Sequence, residues 1–266
     1  MSKVILVTGG SSGIGQSIAT LLAEKGNIVY AASRNVENQF VGNLRILRMD
    51  VTDESSITSA VESIKVQHGY LDALVNNAGL GMAGPLENTT EKEAKEIFDT
   101  NVFGVLNVCR ACIPLLRKTK GRILNVTSIG GIFALPFRGI YCSSKFAVEG
   151  ISESLSMELA PMGIKVSIVE PGDFKTNINA NRKKSAFIDN IHYPTFDVAL
   201  EQINQEVTSA LETNIIAKAV DRILNKRNPH LRYRVATTTQ HLSVWLYRLL
   251  PGRWFEKLIM NHYKLR

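Results

Sequence analysis

Val4-Ile5-Leu6-Val7-Thr8-Gly9-Gly10-Ser11-Ser12-Gly13-Ile14-Gly15 sets a short β-branched run against a glycine turn. Val4–Thr8 is a continuous apolar stretch too short for a helix, and it reads as a buried strand. From Ile14 to Lys25 apolar residues recur at helical spacing (Ile14, Ile18, Leu21, Leu22), and Gly26 supplies a C-cap. A glycine turn between a strand and a helix lets a ligand approach the backbone closely. The helix N-terminus behind it offers free N–H groups and partial positive charge to a nucleotide diphosphate. The spacing is Gly-x-x-x-Gly-x-Gly with no Gly-Lys-Ser/Thr, which excludes a P-loop. A turn serving only tight strand–helix packing is the alternative.

Outward from this unit the same alternation repeats. Asn27–Ser33 reads as a second strand and Leu44–Met49 as a third, ending at Asp50; Asp53–Gln67 is a helix. Ala73-Leu74-Val75 is a fourth strand running into Asn76-Asn77-Ala78-Gly79. Helical patterning spans Thr90 to Leu116, where Pro114 fits only as a kink or near the end. Arg122–Thr127 is a fifth strand, Tyr141–Pro161 a helix, and Lys165–Val169 a sixth strand closed by Pro171-Gly172. Strand and helix alternating six times predict parallel pairing with right-handed crossovers. Unbroken Val/Ile/Leu strands suit a sheet covered on both faces. The predicted fold is therefore α/β, a single doubly wound parallel sheet of about seven strands over residues 1–266. Beyond Gly172 the rhythm breaks into a lid and helical region, 173–228, and a C-terminal extension, 229–266. Within these, 198–227 reads as one or two helices, Leu231–Ala236 as a last strand and 239–263 as helices broken at Pro251-Gly252.

Composition narrows the classes. With 45% hydrophobic and 21% charged residues the chain is an ordinary globular protein. No apolar run reaches the ~18 residues of a membrane span, and Val4–Val7 is too short for a signal peptide, so a cytoplasmic protein is expected. Three cysteines give no disulfide framework; Cys109-x-x-Cys112 reads as buried helix thiols, and no metal is expected. Residues 1–180 hold 17 basic and 17 acidic side chains, so the whole formal +7 lies in 181–266. No recognition motif accompanies that charge, and nucleic-acid binding is not expected.

Tyr141 and Lys145 stand four residues apart, neighbours on one helix face. An ammonium beside a phenol favours the phenolate and equips a tyrosine for general acid/base work near neutral pH. Alone this pair is a weak signal.

Taken with the glycine turn, Asp50, Asn76-Asn77-Ala78-Gly79, Asn101, Ser128 and Pro171-Gly172 with Thr176, the chain resembles the short-chain dehydrogenase/reductase family over residues 3 to about 176, somewhat like its steroid/retinoid branch. The resemblance implies hydride transfer between a nicotinamide nucleotide and a carbonyl/alcohol pair. It implies that Gly9, Ser11, Ser12, Gly13, Ile14 and Gly15 hold the pyrophosphate and adenosine ribose. Asp50 and Val51 would contact adenine, and Asn77, Ala78 and Gly79 would line the ribose. Tyr141 would exchange the proton with the substrate oxygen, and Ser128 would hydrogen-bond that oxygen. Lys145 would bind the nicotinamide ribose and tune Tyr141, and Asn101 would hold a relay water. Pro171, Gly172, Phe174 and Thr176 would position the carboxamide. A homodimer or homotetramer is expected on the same ground.

The end of the second strand selects the nucleotide: a carboxylate there binds a 2′-hydroxyl, an arginine a 2′-phosphate. Ser33-Arg34-Asn35 has no acid, which favours NADP(H) over NAD(H). The loops Leu80–Pro85 and Ile129–Phe137 carry no charge and predict an apolar pocket for a lipophilic ketone, aldehyde or alcohol. The basic tail 239–266, with Trp245, Trp254 and Phe255, suits peripheral membrane contact, a lid over the cleft or a subunit interface alike. A nucleotide-binding scaffold without activity and a membrane-peripheral interaction protein are the rival functions. Against the scaffold stands the complete set of Asn101, Ser128, Tyr141 and Lys145.

Overall fold

The computed structural model of the chain describes residues 2–176, 182–208 and 210–265. Seven parallel strands form one sheet: β1 (Val4–Thr8), β2 (Ile28–Ser33), β3 (Leu44–Arg48), β4 (Ala73–Asn76), β5 (Arg122–Val126), β6 (Lys165–Pro171) and β7 (Arg232–Val235). Their order across the sheet is β3-β2-β1-β4-β5-β6-β7, so the chain winds outward from β1 in one direction and then, from β4, in the other. That reversal opens a crevice at the carboxyl ends of β1 and β4, where ligands of doubly wound sheets bind.

Among the described residues the α-helices are α1 (Gly13–Glu24), α2 (Glu54–His68), α3 (Glu91–Phe98), α4 (Gly104–Arg117), α5 (Gly139–Leu159), α6 (Phe196–Thr208), α7 (Thr213–Asn225), α8 (Thr238–Leu249) and α9 (Gly252–His262). Because strand side chains alternate, Val4 and Leu6 face one way and Ile5 and Val7 the other. The first pair packs with Ile57 and Ile64 of α2, Val108 and Cys112 of α4 and Val148 of α5. The second packs with Ile18 and Leu22 of α1 and Ile216 and Val220 of α7. Each such buried Val, Leu or Ile is worth roughly 1.5–3 kcal/mol relative to exposure. Both faces are thus covered, as the unbroken apolar strands predict.

Local signals end the helices where the sequence says they should. The Asp53 carboxylate caps α2 by accepting from Ser55 N at 2.8 Å, and Gly69 closes the same helix at φ +76°. Pro114 lies three residues before the end of α4, where little of the hydrogen-bond ladder remains to lose. Three features differ from expectation. The helical run from Thr90 to Leu116 is broken by a π-turn over Asp99–Phe103, closed by Gly104 N donating to Asp99 O. A two-residue parallel ladder joins Met82–Ala83 to Lys183–Lys184, outside the main sheet. Within the predicted lid region 173–228, α7 belongs to the covered sheet face, packed on α1, while α6 contributes Ala199 and Ile203 to a separate cluster with Phe133, Leu135, Phe255 and Tyr263. Residues 177–181 and 209 of that region lie outside the described residues. Among the described residues no helix is long and apolar enough to cross a membrane.

Candidate active site

The glycine turn is held against the end of β4 by the backbone of its neighbour. Thr8 Oγ1 accepts from both Asn77 N and Ala78 N at 3.0 Å, and Asn77 Nδ2 donates to Thr8 O at 3.0 Å. This closeness dictates the glycines. Gly9 sits at φ +65°, and a Cβ there would lie 2.9 Å from Ala78 Cα; one on Gly15 would lie 2.1 Å from Gly9 O. Packing therefore accounts for Gly9 and Gly15, the alternative reading of the turn. Gly9 nevertheless lines an open cleft, together with Ser12, Gly13 and Ile14. Ser12 caps α1 with no side-chain hydrogen bond, and the first turn has no acidic residue, which leaves the helix N-terminus free for an anion.

The cleft encloses about 560 Å³ and runs from this turn to the C-terminal helices. Asn77, Ala78 and Gly79 line it from the loop after β4, Ser128 from the loop after β5, Tyr141 and Lys145 from α5, and Pro171, Gly172, Phe174 and Thr176 from the end of β6 and beyond. These predicted residues meet in one place. Ser11, Gly15, Ser33, Arg34, Asn35, Asp50, Val51 and Asn101 do not line it. Ser11 Oγ donates to Ser33 Oγ at 2.8 Å, and Arg34 and Asn35 are exposed beyond that pair. The Asp50 carboxylate accepts from Thr52 N at 2.9 Å, and Val51 is buried against Gly104.

α5 opens at Gly139, two residues earlier than expected, so Tyr141 and Lys145 share its first turns. Lys145 is 7% exposed and donates to Val126 O at 3.1 Å. Burial pulls its ammonium down to about 8, opposed by the Glu149 carboxylate one turn further on. Glu149 is fixed in turn by Thr127, whose hydroxyl donates to it at 2.6 Å, and by Arg232 Nε at 3.0 Å. Ser128 lies two residues past β5 in extended conformation, its Oγ accepting from Gly130 N at 3.1 Å and close enough to the Tyr141 phenol to act on its pKa. Burial pushes the Tyr141 phenol above its ordinary value, and Ser128 works against that rise. Burial outweighs any downward pull from Lys145, whose Nζ lies 5.9 Å from the ring centre.

Asn101 stands behind this group, in the π-turn. Its Oδ1 accepts from Leu80 N at 2.7 Å, and its Nδ2 donates to Leu80 O and Ser144 Oγ, both at 3.0 Å. The side chain clamps the loop after β4 to α5 and does not line the cleft. Gly79 separates the two: a Cβ there would lie 3.2 Å from Asn101 Oδ1 and 3.5 Å from Lys145 Nζ.

The substrate end is more polar than its loops predict. Phe133, Leu246, Phe255 and Ile259 give apolar wall, but Arg138, Asp173, Arg182, Glu206 and His262 line the cleft too. Arg138 donates to the Tyr263 hydroxyl, Tyr263 donates to Glu206 Oε2 at 3.4 Å, and His262 Nε2 lies 2.5 Å from Glu206 Oε1. Arg138 was legible as one helical turn before Tyr141, and Asp173 as the neighbour of Pro171-Gly172. Glu206, His262 and Tyr263 carry no motif.

The residues present fit a nicotinamide dinucleotide: a free helix N-terminus behind a cradle that a Cβ would fill, and a buried lysine beside Asn77–Gly79. The family profile described as short chain dehydrogenase matches residues 3–186. The chain is 39% identical over 267 residues to a 3-ketodihydrosphingosine reductase of Bacteroides thetaiotaomicron, covering 99% of each. It is 40% identical over 189 residues to human 17-beta-hydroxysteroid dehydrogenase type 1, covering 65% of this chain and 57% of that one. A short chain dehydrogenase from Burkholderia cenocepacia in complex with NADP superposes with TM-score 0.77 at 25% identity, covering 97% of each chain. Sequence and site together assign the chain to the short-chain dehydrogenase/reductase family, nicotinamide-dependent enzymes acting on CH–OH groups.

Proposed function

We propose that this enzyme is an NADP(H)-dependent reductase interconverting a lipophilic ketone and its alcohol, with Tyr141 as general acid/base. The observation that carries the reading is a single cleft in which Ser128, Tyr141 and Lys145 stand between the glycine turn and an apolar wall from α8 and α9. A bound nicotinamide nucleotide supplies the hydride. Tyr141 gives the carbonyl oxygen its proton; a phenol held protonated by burial suits the reducing direction. Ser128 Oγ hydrogen-bonds the same oxygen and stabilises charge developing on it. Lys145, largely protonated at neutral pH, holds the nicotinamide ribose together with the Asn77–Gly79 backbone. Asn101 acts at one remove, fixing that backbone through Leu80.

NADP(H) is favoured over NAD(H) by Ser33 in place of an acid and by the exposed Arg34 beside it, free to meet a 2′-phosphate. For the substrate we infer a long-chain ketone of the sphingoid-base class, supported by the end-to-end likeness to the Bacteroides reductase and by the apolar wall. Peripheral membrane contact through 239–266 is part of the proposal, because Trp245, Leu249 and Trp254 are exposed among Arg248, Arg253 and Lys257. So are a cytoplasmic location and assembly as a homodimer or homotetramer.

The direct test is oxidation of NADPH against NADH across 3-ketodihydrosphingosine, steroid, retinoid, acyl and small ketones. Faster NADPH oxidation with a long-chain or polycyclic ketone, and its loss by at least about 100-fold in Tyr141→Phe with nucleotide binding kept, is the expected result. Turnover of small polar ketones alone would overturn the substrate class, and near-normal turnover by Tyr141→Phe would overturn the mechanism.

A further inference from the structure

Arg138 breaks several local rules at once. It is the N-cap residue of α5 and makes no side-chain cap there, although a cation at a helix N-terminus is opposed by the helix dipole. The residue before it, Phe137, sits at φ +56°, a left-handed conformation that bulky side chains rarely adopt. That conformation is held from outside: Phe137 O accepts from Gly84 N at 2.8 Å, and its ring packs edge-on against Phe196 with centres 5.2 Å apart. The turn delivers the guanidinium to the cleft, with Nε buried and without a hydrogen-bond partner among the described residues. Departures of this kind gather at functional positions.

The far end of the chain fixes the side chain. Arg138 Nη2 donates to the Tyr263 hydroxyl, and its guanidinium carbon lies 5.4 Å from the centre of that ring. Tyr263 follows α9 directly and is 4% exposed. Burial keeps its phenol well above the ordinary value, so at neutral pH it accepts from Arg138 without taking up its charge. Burial also opposes the Arg138 cation, and the groups facing it, Tyr263 first and then Asp173, Cys142 and Glu206, more than offset this.

Tyr141 stands three residues after Arg138, on the same face of α5 and in the same cleft. Burial raises its phenol and Ser128 lowers it; of the ionisable groups facing it, Arg138 lowers it while Cys142 and Asp173 raise it. Arg182 lines the cleft too, but it comes from the lid segment and donates to Asn204 Oδ1 of α6 at 2.8 Å. A guanidinium keeps its charge at every working pH, whereas Lys145 loses its own near pH 8.

We propose that Arg138 is a positioning residue of the reaction: held in the cleft by Tyr263, its guanidinium favours the phenolate that Tyr141 becomes on giving its proton to the carbonyl oxygen. As the carbonyl carbon accepts hydride, its oxygen takes the Tyr141 proton, and the O–H electron pair stays on the phenolate near Arg138. The docked C-terminal helix thereby sets the strength of an acid on α5. The inference rests on Tyr141 being the general acid of a ketone reductase.

The experiment follows a single turnover of NADPH with a long-chain ketone at pH 7, so that product release does not hide the chemical step. Arg138→Met is expected to slow that step about 10-fold, the equivalent of one pKa unit in the acid, with the affinities for ketone and NADPH changed less than about 2-fold. Arg138→Lys should recover most of the rate. Tyr263→Phe, which keeps the ring but releases the guanidinium, should lose about 3-fold. Added to Tyr141→Phe, Arg138→Met should have no further effect, because the group it acts through is gone. In ultraviolet difference titrations, each protein against its own Tyr141→Phe partner, the Tyr141 phenol should ionise about one pH unit higher in Arg138→Met than in wild type. An equal loss with and without the Tyr141 hydroxyl would make Arg138 a packing residue and overturn the assignment, as would a loss confined to ketone affinity. Should Arg138→Met fail to fold, Tyr263→Phe carries the same cycle, and an unchanged rate there overturns it. A wild-type rate in Arg138→Met sinks this inference alone and leaves Tyr141 as the acid. Full turnover by Tyr141→Phe, or no turnover of any ketone by wild type, sinks the underlying reading.

Discussion

Lys145 shows what the site costs the fold. Its ammonium is 7% exposed and held at about 8, well below an ordinary value near 10.5, because burial outweighs the attraction of Glu149. At about 1.4 kcal/mol per pKa unit, the shift corresponds to about 3 kcal/mol against the folded state. The sign follows from proton binding. Between pH 8 and about 10.5 the unfolded chain holds more protons at this residue than the folded one, so stability rises with pH across that window. Below pH 8 the whole penalty is present. Lys145→Met should therefore unfold at higher denaturant concentration than wild type at pH 7, by about 1–3 kcal/mol, since the lost bond to Val126 O offsets part of the gain. The advantage should vanish above about pH 10.5, and turnover should be lost at every pH. A less stable variant at pH 7 would mean that the buried charge is better compensated than its contacts indicate.

At the scale of elements, α5 delivers Tyr141, Lys145 and Glu149 from one face at intervals of four, and Arg138 one turn earlier. Three of these point at the cleft; the fourth, Glu149, ties the helix to Thr127 and to Arg232 on β7. Glutamine at 149 keeps an acceptor for Thr127 but removes the charge that lifts the lysine. The Lys145 pKa should then fall below about 8, and the alkaline limb of kcat/KM should move to lower pH with it. Measuring that limb in wild type and Glu149→Gln tests the coupling; coincident profiles would dissolve it. Much of this was legible because periodicity lies along one helix. The strands were legible for a related reason: Val4–Thr8 and Arg122–Val126 are unbroken apolar runs with no competing helical period. The π-turn over Asp99–Phe103 was not, since one extra residue shifts the apolar pattern by a single position, too little to interrupt a helical period read over many turns. Nor was the pairing of Lys183–Lys184 with Met82–Ala83, a ladder too short to impose an alternating pattern.

At the scale of the whole molecule, the first 176 residues bring the glycine turn, Ser128, Tyr141 and Lys145 to the cleft, while the last third closes its other end through α6, α8 and α9. Its side chains reach the site through contacts between distant segments, such as Arg138 with Tyr263, for which sequence spacing holds no signal. The closing pair α8–α9 is apolar on two sides. Inward, Leu246, Phe255 and Ile259 line the cleft; outward, Leu242, Trp245 and Leu249 share one stripe of α8, and Trp254 and Leu258 one of α9. Leu258 belongs to both sides, lining the cleft while 46% exposed, so the outer face is continuous with the rim of the cleft. The outward stripes are flanked by Arg248, Arg253 and Lys257, with Glu256, paired to Arg253, as the acid. Indoles and leucines gain from burial at a headgroup boundary, and each cation adds about 1 kcal/mol near an anionic surface. The protein should then float with vesicles containing phosphatidylglycerol, far less with phosphatidylcholine alone, and less again as salt screens the attraction. A Trp245→Ser/Trp254→Ser double variant should stay at the bottom of the gradient while still oxidising NADPH with a ketone supplied in detergent. If wild type does not float, and light scattering shows that the same double variant loses a dimer wild type forms, the face belongs to a second copy of the chain. A lipophilic ketone would then have to reach the cleft from solution, and its turnover should be indifferent to added vesicles.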